Sequence, residues 1–149
     1  GEYYSPYRSA VCVFVYCALT GRPYKVYVKH HRTSLYIDDA VRTLANIADR
    51  FLPGRVYNIG GTQYHDMEEV SNMILQHLGR EDDMVEYIDA EPWTTGDKRV
   101  DVARAAAELE HAPQMVLEEG IARTVEWMRQ VYCDGEDRQT CRNRDESVI

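Results

Sequence analysis

Apolar positions fall into short runs and helical stripes along the chain. The densest run, Ala10 to Leu19, is ten residues without a charge. Pro6 near its start and Gly21 just past its end follow the early-proline, late-glycine habit of helices. Residues 6–20 are therefore read as a buried helix, although Val11-Cys12-Val13-Phe14-Val15 has strand-like composition. Tyr24 to Val28 and Ser34 to Ile37 are short β-type runs. Asp38-Asp39 offers an N-cap, and Val41, Leu44, Ala45, Ala48 and Phe51 follow at helical spacing until Pro53-Gly54. Val56 to Ile59 reads as an apolar strand running into Gly60-Gly61. Asp66 with Glu69 makes a capping box, and Val70, Met73, Ile74 and Leu78 carry that helix to Gly79. Met84 to Ile88 is a further strand. Asp101 caps a short Ala-rich helix, Pro113 breaks the chain, and Ile121, Val125, Met128 and Tyr132 mark a last amphipathic helix. The order is helix, two short strands, helix, strand, helix, strand, helix, helix, which is a mixed α/β chain. Residues 133–149 are charged and poor in apolar side chains, and are expected to be a frayed, disordered tail after a domain spanning 1–132.

Composition narrows the class. A chain of 149 residues suits one domain. Its 17 Lys and Arg against 25 Asp and Glu give a formal charge of −8. That balance argues against a broad nucleic-acid or anionic-membrane surface and leaves room for a local basic pocket. A ten-residue apolar run is too short to span a bilayer, and Gly1-Glu2-Tyr3-Tyr4-Ser5-Pro6 lacks the pattern of a secretory leader. Four cysteines without zinc spacing are expected to be reduced thiols, in keeping with a cytoplasmic setting.

The densest polar cluster is Lys25, Lys29, His30, His31 and Arg32. A basic stretch in an acidic chain suits an anion, and the arginine fork suits a phosphate. Tyr27 beside it offers a ring for a base. The competing expectation is a solvated hairpin tip. His30 and His31 would point to opposite sides of an extended strand, so no metal site is expected. No Ser-His-Asp order, G-x-S-x-G or P-loop is present.

Several segments, taken in order, resemble one family. Ala18-Leu19-Thr20-Gly21-Arg22-Pro23-Tyr24-Lys25-Val26-Tyr27 is similar to "A-L-x-G-x-P-x-x-V-Y". Arg32-Thr33-Ser34-Leu35-Tyr36-Ile37-Asp38-Asp39-Ala40 is similar to "R-D-W/Y-x-x-V-x-D-x-A". Val56-Tyr57-Asn58-Ile59-Gly60-Gly61 is similar to "x-Y-N-I-G-G", and Leu117-Glu118-Glu119-Gly120-Ile121 to "L-E-E-G-L". Arg99-Val100-Asp101-Val102-Ala103-Arg104, followed by Glu108 to Pro113, looks like "D-x-S-K … L-G-W-x-P". These pieces, over residues 1 to about 132, resemble the carboxy-terminal, substrate-binding half of the extended short-chain dehydrogenase/reductases. Those are NAD-dependent sugar-nucleotide epimerases and dehydratases.

The resemblance implies a small α/β substrate domain with one strand, Val56 to Ile59, joining a Rossmann sheet that this chain does not contain. It implies NAD and a nucleotide-diphosphate sugar as ligands. It also implies that the catalytic Tyr-x-x-x-Lys and the NAD-binding G-x-x-G-x-x-G lie in a missing amino-terminal half. None of the 11 tyrosines has lysine four residues on, so no catalytic residue is assigned here. Tyr27 would line the base pocket and Arg32 would pair with the diphosphate. Arg8 is a second phosphate candidate, and Arg99, or Lys98 beside it, would stand in for an arginine of the family's "R-P-G" where this chain has Glu91-Pro92-Trp93. The expected partners are the missing half and further copies in a homo-oligomer. The alternative is a non-catalytic sugar-nucleotide-binding or regulatory relative of the same fold.

Overall fold

A computed structural model describes residues 2–89 and 91–133. The charged tail from residue 134 onward lies outside the described residues. Three helices build the core: α1 (Ala10–Thr20), α3 (Met67–Leu78) and α5 (Leu117–Cys133). Val15, Ile74, Val125 and Met128 are fully buried where they meet. β1 (Tyr24–Tyr27) pairs in parallel with β4 (Val85–Ile88) and packs on α3. A second sheet has β2 (His31–Thr33) in the middle, antiparallel to β3 (Tyr64–Asp66) and parallel to β5 (Asp97–Lys98). α2 (Ile37–Arg50) and α4 (Ala103–Leu109) pack on each other. The mixed α/β class stands.

Local rules explain most helix ends. Ser9 caps α1, so the helix starts at Ala10 and Pro6 lies in a preceding turn. Gly21 closes α1 in the left-handed region at φ 69°. Asp66 and Glu69 form the expected capping box of α3, with Gly79 as its left-handed stop. Asp101 Oδ1 accepts from Ala103 N at 2.9 Å at the start of α4.

Four expectations are corrected. The strand expected at Ser34 to Ile37 forms three residues earlier, because His31–Thr33 pairs with β3, and His31 and Arg32 also pair with β5. Asp38-Asp39 does not cap α2. Tyr36 occupies that position without a side-chain bond, and buried Asp39 instead accepts from Gln114 N and Met115 N at 3.0 and 2.9 Å. Residues 56–59 form no strand and belong to no sheet, since no strand among the described residues pairs with them. Finally, Cys12 and Cys17 are free and buried while Cys133 is disulfide-bonded, so the thiols are not all reduced.

Gly61 shows how tightly these pieces close. A Cβ there would stand 1.7 Å from the Ser34 carbonyl oxygen, so only glycine lets the two backbones meet. Neighbouring Gly60 accepts from buried His111 Nε2 at 2.8 Å, and His111 Nδ1 lies 2.7 Å from Thr43 Oγ1 on α2. Among the described residues, no helix is long and apolar enough to cross a membrane.

Candidate functional site

A cleft of about 860 Å³ opens between α1, α5 and the β2–β3 pair. α1 and α5 lend it Phe14, Ile121 and Trp127, and the strands lend it polar side chains. Four cations line it: Arg8, Lys25, Arg32 and Arg123. Glu2 is the carboxylate in its lining among the described residues. In a chain of net charge −8, this concentration of positive charge favours an anionic ligand.

The cations differ in how they are held. Arg8 faces Glu2 at 4.0 Å, Lys25 faces Glu86 at 3.8 Å, and Arg123 faces Asp38 and Glu119 at 3.8 and 2.6 Å. Hydrogen bonding to Glu119, partly offset by burial, raises the Arg123 pKa further above its ordinary value. Arg32 is held by neutral groups. Its Nη1 donates to His31 O and Gly96 O, both at 2.7 Å, and its Nη2 to Thr95 O at 2.7 Å. Among the described residues no carboxylate stands at ion-pair distance from it, although Asp97 is near enough for the Arg32 charge to help lower that carboxyl's pKa.

Tyr27, at the end of β1, also lines the cleft. Burial and a hydrogen bond to Glu91 raise its phenol above the ordinary value. Glu91 stands where the resembling family carries arginine, so the loop after β4 turns an acid toward the base-pocket candidate. The ring of Tyr27 lies 5.1 Å from that of His30. His30 is 1% exposed and so does not belong to a solvated hairpin tip.

The structure brings Arg8, Tyr27 and Arg32 to one cleft and leaves Arg99 out of its lining. Arg99 lies over the Tyr64 ring, 5.9 Å from its centroid. Lys98 sits opposite Arg32 in the β2–β5 register. His65, which shows no motif in the sequence, is the cross-strand partner of Arg32 and lines the cleft. Nε2 of His65, Nε2 of His30 and Nδ1 of His31 are buried without a hydrogen-bond partner. Only pairing of β3 with β2 reveals this placement. Among the described residues no group of three potential metal ligands is assembled.

No family model matches the chain. Among curated proteins it is similar to a dTDP-glucose 4,6-dehydratase of Streptomyces griseus, 35% identical over 96 residues, covering 64% of this chain and 29% of that protein. Among solved structures it is similar to the dTDP-glucose 4,6-dehydratase DesIV of Streptomyces venezuelae, determined with NAD bound. The TM-score is 0.75 at 26% identity, over 87% of this chain and 42% of that one. The fold also matches the UDP-glucose 4-epimerase of Thermotoga maritima, determined with UDP-glucose. That match has a TM-score of 0.76 at 24% identity, over 85% and 42% of the two chains. The chain thus spans about 29–39% of the length of the curated relatives it matches.

NAD, seen in such relatives, does not fit the residues present here. A dinucleotide site needs a glycine-rich turn between a strand and a helix. In this chain β3 runs into α3 through Tyr64-His65-Asp66-Met67 without a glycine, and the described positive-φ glycines sit at helix ends and in the turn after α2. The relatives' NAD chemistry is accordingly not assigned to any group described here. In sequence and in fold, the chain matches the carboxy-terminal part of the extended short-chain dehydrogenase/reductase family of sugar-nucleotide epimerases and dehydratases.

Proposed function

We propose that the chain is the substrate-binding portion, residues 1–132, of an NAD-dependent sugar-nucleotide epimerase or dehydratase. The cleft holds a nucleotide-diphosphate sugar. Tyr27 lines the base, Arg32 grips the diphosphate, and Arg8 adds charge at the mouth. Arg99 has a weaker case because it lies over Tyr64 outside the cleft lining. The observation that carries this reading is Arg32: a guanidinium fixed in the cleft by carbonyls, with no carboxylate at ion-pair distance among the described residues. In a complete enzyme such a grip on a remote diphosphate orients the sugar at the reacting centre.

NAD and the proton-transferring groups belong, in this reading, to the amino-terminal part found in the longer relatives. The same part covers the apolar side of α2. That helix turns buried Asp39 and Thr43 toward the chain's own interior and leaves Val41 and Leu44 about half exposed. A helix that hides polar groups and shows apolar ones has its natural partner on the outer side.

Calorimetric titration with UDP and dTDP tests the reading. Micromolar to millimolar binding of a nucleoside diphosphate is expected, weakened about tenfold or more in Arg32→Ala by loss of charge-assisted bonds worth about 1.5–3 kcal/mol each. Equal affinities of the wild type and the variant would remove Arg32 from the site.

A further inference from the structure

We propose that Asp97 and Tyr64 are positioning residues, which pin the Thr95–Gly96 backbone so that Arg32 presents its remaining N–H edge to an oxyanion of the ligand. This rests on the reading that Arg32 meets a diphosphate.

A guanidinium has five N–H groups in one plane. Arg32 spends three on carbonyls. The consecutive carbonyls of Thr95 and Gly96 take Nη2 and Nη1, and His31 O takes the second Nη1 proton. Nε–H and one Nη2–H remain. These two are parallel, with the spacing that two oxygens of one phosphate accept together. The direction of that edge is therefore set by where residues 95 and 96 lie.

Those residues lead into β5, which is only two residues long. One backbone bond ties them to β2, from His31 N to Gly96 O at 2.8 Å. The short β2–β5 ladder holds the next two residues, and side chains add to the hold. Tyr64 Oη donates to Asp97 Oδ1 at 2.5 Å, and His31 Nδ1 lies 3.1 Å from the same oxygen, an ion-pair distance without hydrogen-bond geometry. His31 Nε2 lies 3.3 Å from Asp66 Oδ2, and its ring stacks on Tyr64 with centroids 5.2 Å apart and planes 14° from parallel. One imidazole and one phenol thus join β3, β2 and β5 on the flank of Arg32. The Asp97 side chain is 72% exposed, so its removal leaves no cavity in the core. Neither Asp97 nor Tyr64 is in the cleft lining, so both would act through Arg32.

The test is a thermodynamic cycle read with two ligands, UDP and uridine, which differ by the diphosphate. Binding is measured for the wild type, Asp97→Asn, Tyr64→Phe, Arg32→Ala and the double variant Arg32→Ala/Asp97→Asn, with a melting curve for each. Asp97→Asn and Tyr64→Phe are expected to weaken UDP three- to tenfold and to leave uridine unchanged. In the Arg32→Ala background, Asp97→Asn is expected to cause no further loss. If Asp97→Asn does not fold, Tyr64→Phe, which deletes one hydroxyl, carries the same comparison, and Asp97→Glu is expected to restore part of the affinity. If Arg32→Ala weakens UDP but Asp97→Asn and Tyr64→Phe do not, the positioning role is wrong and the diphosphate reading stands. Equal loss for UDP and uridine, or losses that add to that of Arg32→Ala, likewise overturns positioning. If Arg32→Ala changes nothing, or UDP does not bind the wild type, both fall together.

Discussion

The two sides of the molecule solve the burial problem in opposite ways. Around α1, α3 and α5, apolar side chains face one another, and Val15, Ile74, Val125 and Met128 have no exposed surface. On the α2 side the arrangement is inverted. Asp39 and Thr43 face inward, bonded to Gln114, Met115 and His111. Val41, Leu44 and Phe51 are 53%, 52% and 66% exposed, and Val56 in the following segment is 76% exposed. Both helical regions have strong apolar periodicity in the sequence. The difference teaches that periodicity locates an apolar face without saying whether this chain covers it. The first region is a finished core. The second leaves its apolar positions exposed, and it lies beside a segment, 56–59, that pairs with no strand among the described residues.

Mutations should separate the two regions sharply. The largest effect is expected at Gly61, where a methyl group would collide with the Ser34 backbone. Gly61→Ala should cost about 3 kcal/mol or prevent folding, at the upper end for overpacking, and urea unfolding checks it. Ile74→Ala, in the finished core, should cost about 2–5 kcal/mol by the same measurement. Leu44→Ser, on the open side, should change stability by no more than about 0.5 kcal/mol. A loss at Leu44 as large as that at Ile74 would mean that α2 is covered within this chain.

The inward polar side of α2 gives a smaller, pH-dependent effect. Burial alone would push the Asp39 carboxyl up, but the N–H groups of Met115 and Gln114, with Arg42 beside it, hold it below its ordinary value. A depressed folded-state value contributes stability at pH above the unfolded carboxyl's, about 3.9. That contribution is lost as pH falls through the lower folded value. Asp39→Asn should therefore cost about 1–2 kcal/mol at pH 7, and the gap to the wild type should narrow as pH falls below about 4. A gap that is constant with pH would contradict the carboxylate's role.

What the sequence displayed followed from locality. The capping box of Asp66 and Glu69, the glycine stops at Gly21 and Gly79, and the stripe of α5 depend on neighbours within a turn or two. β3 and β5 were invisible because three- and two-residue strands have no alternation to read, and exist only through pairing with β2. The site divided along the same line. Tyr27, Arg32 and Arg8 were legible as residue types in a motif. The environment of Arg32 was not, because its partners are main-chain carbonyls 63 and 64 residues away, which no side-chain pattern announces. His65 reaches the cleft for the same reason. Arg99 had the right chemistry, yet it stacks outside the cleft lining over Tyr64.

The proposed function puts the ligand in the cleft and not on the α2 side. Titrating the isotopically labelled chain with UDP, and following backbone and side-chain resonances, tests this most directly. The account predicts saturable shifts at Tyr27, Arg32 and His65 in the cleft, with Val41 and Leu44 on α2 and Phe51 just past its end unmoved. Shifts confined to α2, or no saturable shift at the cleft residues, would contradict it.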